Sequence, residues 1–194
     1  LRPLRLHRVQ VGGLEITQLF FNILLDLVLL IIPLAVIVFI ERRPLVLSGL
    51  GFQSRGVVND SLLTLKIFAA LVIFSVLFSI ALSFSGINDI GKVEDAVGAI
   101  FSYSPLWLMY FMVVRVFAEE FFFRAFLVPR IGVMGSSIAF AIAHLGYGSV
   151  AEVLGALVLG AILAIAYKEN RQIVPNYMAH LLYNVVALAA FLQA

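Results

Sequence analysis

Cysteine is absent from the 194 residues, which excludes disulfides, thiolate nucleophiles and cysteine metal sites. Charge is scarce too: Asp, Glu, Lys and Arg make up 12% of the chain, about half the share of an ordinary soluble domain. In its place stand 63% hydrophobic residues, 17 phenylalanines and a mean hydropathy of +1.10, a composition no soluble fold of this length carries. The net charge of +2 is scattered over short loops and not gathered on one face, so no nucleic-acid partner is expected. No secretory signal with a cleavage site stands in the first residues. The expectation is an all-α polytopic transmembrane bundle of about six to eight helices around a polar intramembrane cavity. Residues 1–194 would form a single integral membrane domain, with membrane lipids around it and its core over 105–194.

Hydropathy and breakers divide the chain. Residues 1–15, with Arg2, Arg5 and Arg8, read as an interfacial arm. Spans are expected over residues 19–40, 61–85, 105–127, 135–145, 150–167 and from Pro175 onward, with the stretch Val128 to Gly132, and Pro129 in it as a breaker, ending the third. A net acidic loop, residues 86–96, follows the second. Arg42, Arg43, Arg55, Arg124, Arg130, Lys168 and Arg171 fall on one side of this arrangement, which should be cytoplasmic. Asp26, inside the first span, reads as an acid near the headgroups.

The informative stretch is Arg115 to Arg130, where Glu119 and Glu120 interrupt an apolar run. A charge near the middle of a membrane helix costs about 2.5–3.5 kcal/mol on insertion scales, so it must be paired, hydrated or neutralised. On an α-helix the four-residue spacing offers two ion pairs, Arg115 with Glu119 and Glu120 with Arg124. That pairing alone accounts for all four charges. Against a purely structural account, His144 and His180 also sit in apolar spans, and Glu119, His144 and His180 lie about 14–18 Å from the same end at 1.5 Å per residue. Asn184 shares a face with His180, and Phe140 lies one turn before His144. An acid, two imidazoles and an amide at one depth suit hydrolysis by an activated water. The His-His-Glu set is also compatible with zinc, although no H-E-x-x-H spacing is present. Ser136, Ser137 and Ser149 lack a G-x-S-x-G context, which weakens a serine nucleophile.

Three motifs then carry a resemblance. Residues 119–124 read E-E-F-F-F-R, residues 140–144 read F-A-I-A-H and residues 180–184 read H-L-L-Y-N, which resembles the E-E-x-x-x-R, F-x-x-x-H and H-x-x-x-N series of the CPBP family of CAAX prenyl endopeptidases and bacteriocin-processing membrane proteins. The resemblance implies a helical membrane core, usually of eight helices, open toward the cytoplasm and the membrane. It implies Glu119 as general base assisted by His144, His180 and Asn184 as oxyanion partners, Glu120 and Arg124 holding the motif helix, and no required catalytic metal or other cofactor. The implied partner is a hydrophobic peptide or protein, in some members prenylated at its C-terminus. The alternative is a non-proteolytic scaffold or bacteriocin-immunity-type protein; a proton-coupled transporter would use the same ionisable residues. Arg115 lies outside the motif, and facing Glu119 it would make that carboxylate a poorer base.

Overall fold

The computed structural model describes residues 14–103 and 105–191, so most of the expected N-terminal arm lies outside the described residues. Among the described residues all regular structure is helical. We label the elements α1 (Leu14–Ala35, continued by a π-turn over Val36–Ile40), α2 (Val57–Ser85), α3 (Gly91–Tyr103), α4 (residues 105–127), α5 (Val128–Ala143), α6 (Val150–Asn170) and α7 (Ile173–Phe191). Five stretches are long and apolar enough to cross a membrane: Phe20–Ile40, Val57–Ser85, Phe111–Tyr147, Val150–Asn170 and Ile173–Ala190. Their outward faces carry large apolar side chains such as Phe39, Ile73 and Leu77, as helices do when lipid is the solvent.

The longest stretch is folded back on itself. The third span does end within residues 128–132, but not at the proline. Helical backbone runs on through Leu127, Val128 and Pro129, and it breaks at Gly132 with φ 72° and ψ −178°. That conformation suits a residue without Cβ. Beyond the break α5 packs along α4: Ser136 Oγ donates to the Phe123 carbonyl at 2.6 Å, and the Phe123 and Phe140 rings meet edge to face at 5.1 Å. The acidic loop is also shorter than expected, because Lys92, Glu94 and Asp95 already belong to α3.

Small residues let the remaining helices close around this hairpin. Ala164 of α6 packs with Phe121, Ala125 and Val128 of the hairpin, and Ala156 with Phe123 and Phe140. Ile67 and Leu71 of α2 meet Leu163 of α6 and Ala179 of α7.

The two ends of the bundle differ in charge, as the loop pattern anticipates. At one end Arg130 binds Glu41 at 2.6 Å, Arg55 donates to the Asn170 carbonyl, and the Ile173 amide donates to the Gly51 carbonyl. Arg42, Arg43, Lys168 and Arg171 belong to that same end. Arg124 does not: it is wholly buried and marks no loop.

At the other end Asp89 caps α6, accepting from the Val150 amide at 2.6 Å, the Ala151 amide and the Ser149 hydroxyl. Chiefly because the Val150 amide donates to it, the Asp89 carboxyl titrates below its ordinary value of 3.8. A depressed folded value means the cap is fully present above about pH 3.8 and is lost as pH falls through the folded value. Thermal melting in detergent should therefore show stability falling on acidification below about pH 4, and Asp89→Asn should flatten that fall.

Candidate active site

Glu120 opens a π-helical stretch, Glu120–Leu127, whose widened turns are a common device at functional sites. Its carboxylate is fully buried, 3.3 Å from Nη1 of Arg124, which is equally buried. The guanidinium also lies over the Phe140 ring at 4.3 Å, and its three nitrogens have no hydrogen-bond partner among the described residues. Ion pairing and a ring face thus hold this cation out of water. Glu120 Oε1 further accepts from His180 Nδ1 at 2.8 Å, and Asn176 Nδ2 approaches Glu120 Oε2 at 3.4 Å while donating to the Leu163 carbonyl at 2.8 Å. The expected Glu120–Arg124 pair is present, and it ties α4 to α7 as well as stiffening its own helix.

The second expected pair is absent. Arg115 turns to α1, donating to Asp26 Oδ1 at 3.0 Å and to Asn22 Oδ1 at 3.0 Å. Asp26 is therefore a buried ion-pair partner and not a headgroup acid, and Arg115 does not neutralise Glu119. Among the described residues the half-buried Glu119 carboxylate accepts no hydrogen bond and joins no ion pair. It lies within electrostatic reach of Arg124, five residues on.

Phe140 is the common wall. The His144 ring stacks against it at 4.4 Å between centroids and the His180 ring meets its edge at 6.1 Å. His144 Nδ1 bonds the Phe140 carbonyl at 2.8 Å; a carbonyl only accepts, so Nδ1 is the donor, an arrangement in which the neutral ring has its lone pair on Nε2. His180 likewise spends Nδ1 on Glu120 and leaves Nε2 for the site. Asn184 follows one turn after His180, half-buried and without a side-chain partner among the described residues. Ser136, Ser137 and Ser149 are engaged with backbone or with Asp89.

Two residues escaped the sequence reading. Asn176 stands one turn before His180, a spacing that could have drawn attention to it. Glu152, in the first turn of α6, lies within electrostatic reach of both Glu119 and His144, and Tyr147 within reach of both carboxylates. A first-turn glutamate resembles ordinary helix capping, so only tertiary placement reveals it. Among the described residues no three His, Asp or Glu side chains gather closely enough to hold a metal ion. A cavity of about 510 Å³ between α2, α6 and α7 reaches Glu152 and opens beside the 86–90 segment.

Comparison with curated proteins and with solved structures gives no match. The family model described as "Rce1-like: Type II CAAX prenyl endopeptidase Rce1-like" matches residues 100–186, a span that contains Glu119, Glu120, Arg124, Phe140, His144, His180 and Asn184. With its helices long and apolar enough for a bilayer, this is an integral membrane protein whose residues 100–186 are similar to the Rce1-like family of type II CAAX prenyl endopeptidases.

Proposed function

We propose that the chain is a glutamate-dependent intramembrane endopeptidase that hydrolyses membrane-associated or prenylated peptides with an activated water. One observation carries the reading: of two adjacent carboxylates, Glu120 is saturated by Arg124 and His180, whereas Glu119 has no partner among the described residues. The free carboxylate takes a proton from water as the oxygen attacks the scissile carbonyl carbon. His144 Nε2, which keeps its lone pair, accepts from the same water and orients it. His180 donates from Nε2 to the developing oxyanion. Because Nδ1 donates as well, this requires the imidazolium, a cation that faces the Glu120 carboxylate at 2.8 Å. The Asn184 amide supplies the second donor. Collapse of the tetrahedral adduct breaks the C–N bond, and the departing amine leaves with the proton held by Glu119.

The concentration of Arg and Lys at one end of the bundle supports a cytoplasmic side for residues 41–56, 128–132 and 168–172, with the substrate reaching the site from that side. The non-proteolytic alternative rests on the Glu120 network, which would brace α4 against α7 with or without catalysis. The deciding experiment incubates the purified chain in nanodiscs with a farnesylated peptide and follows it by mass spectrometry. Cleavage lost in Glu119→Ala, His144→Ala and His180→Ala variants that still fold supports the protease. A biological role retained by all three variants supports the scaffold.

A further inference from the structure

We propose that Glu152, together with the serine face of α2, forms a subsite for a cationic group of the substrate: a lysine or arginine side chain, or a free amino group. The inference rests on the endopeptidase reading in taking the ligand to be a peptide.

The cavity of about 510 Å³ has a largely apolar lining broken by a row of hydroxyls and one carboxylate, groups that a lipid-facing groove has no use for. Ser75, Ser79 and Ser83 line it at four-residue intervals on one face of α2, opposite Tyr183, Asn88 and Glu152. The Ser75 and Tyr183 hydroxyls bond each other at 2.8 Å and Ser83 bonds the Ile80 carbonyl, while Ser79 and Asn88 have no side-chain partner among the described residues. Glu152 is the one charge on this wall, and its carboxylate has neither an ion pair nor a hydrogen bond among the described residues.

The surrounding charges leave the site short of cations. Arg115 belongs to Asp26 and Arg124 to Glu120, so among the described residues Glu119 and Glu152 remain as two carboxylates without an ion pair, and Glu152 lies within electrostatic reach of both Glu119 and His144. At the mouth Glu94 and Asp95 are exposed, and Lys92 is occupied by the Gly148 carbonyl and Asp89. A basic side chain of a bound peptide that lodges in this cavity meets the hydroxyls of α2 and the Glu152 carboxylate. Held there, it keeps the adjoining peptide backbone near Glu119 and His144.

The test is binding, so it does not depend on turnover. The full chain in phosphatidylcholine nanodiscs is titrated with fluorescein-labelled hexapeptides that carry lysine, norleucine or glutamate at each position in turn. At one position the lysine peptide should bind at least tenfold more tightly than its norleucine twin. Glu152→Gln should erase that margin, Glu152→Asp should keep most of it, and Glu152→Lys should transfer the preference to the glutamate peptide. Equal binding of lysine and norleucine peptides at every position, or a lysine margin that survives in Glu152→Gln, overturns the subsite. Should Glu152→Gln fail to fold, Ser79→Leu fills the cavity without touching the carboxylate, and an unaltered lysine margin then overturns the proposal equally. Cleavage measured in the same samples separates the two readings: preference without cleavage removes the protease and leaves the subsite, while cleavage without preference does the reverse.

Discussion

Glutamine in place of Glu119 should lower peptide cleavage by about a thousandfold while leaving the melting temperature of the protein near its original value. The rate effect follows from the role: a positioned general base contributes about 10²- to 10⁴-fold, and an amide cannot take the proton from water. The unchanged stability follows from the surroundings, since the carboxylate holds no partner among the described residues that the substitution would orphan. Single-turnover cleavage of a farnesylated peptide, set beside thermal melting of the same preparation, reads both quantities. Parallel losses of rate and stability would show Glu119 to be a packing residue, and an unchanged rate would remove it from the chemistry.

The neighbouring substitution should behave in the opposite sense. Glu120→Gln leaves the guanidinium of Arg124 fully buried with its counter-charge gone, and breaking a buried ion pair from one side typically costs about 3–5 kcal/mol. His180 loses the carboxylate that orients its ring in the same step. Glu120→Gln should thus unfold at markedly lower denaturant and also lose activity. The double variant Glu120→Leu with Arg124→Met should recover most of the stability and none of the cleavage, because it removes both charges together but restores nothing at His180. Denaturant melts in micelles decide this; a double variant as unstable as the single one would show that shape, not charge, sets the cost.

Much of this arrangement is legible in the chain itself. The scarcity of charge and the long apolar runs require a membrane bundle, and the spacing of Glu120 and Arg124 offers the ion pair that the structure contains. What the helical wheel cannot show is the partner of Arg115. Ideal α-geometry offers it Glu119, whereas tertiary packing supplies Asp26 from another span. Nor does an α-helical wheel foresee the π-turns, which alter which residues of the motif share a face. Pro129 draws the eye as a breaker, but helical backbone runs through it, and the reversal falls to Gly132 three residues later. Glu152 is invisible for a related reason: capping chemistry and site chemistry use the same residue type at the same place.

Gly160 acquires a meaning from the ring it faces. A Cβ built there would come within 3.0 Å of Phe140 Cδ1, so Gly160→Ala obliges that phenyl group to give way by a few tenths of an ångström. Both imidazoles and the Arg124 guanidinium rest on the same phenyl group, and one methyl added on α6 would disturb all three at once. Gly160 and Phe140 therefore form a lock and its key blank: the bulk of one sets the alignment the other can give, and neither can be recut alone.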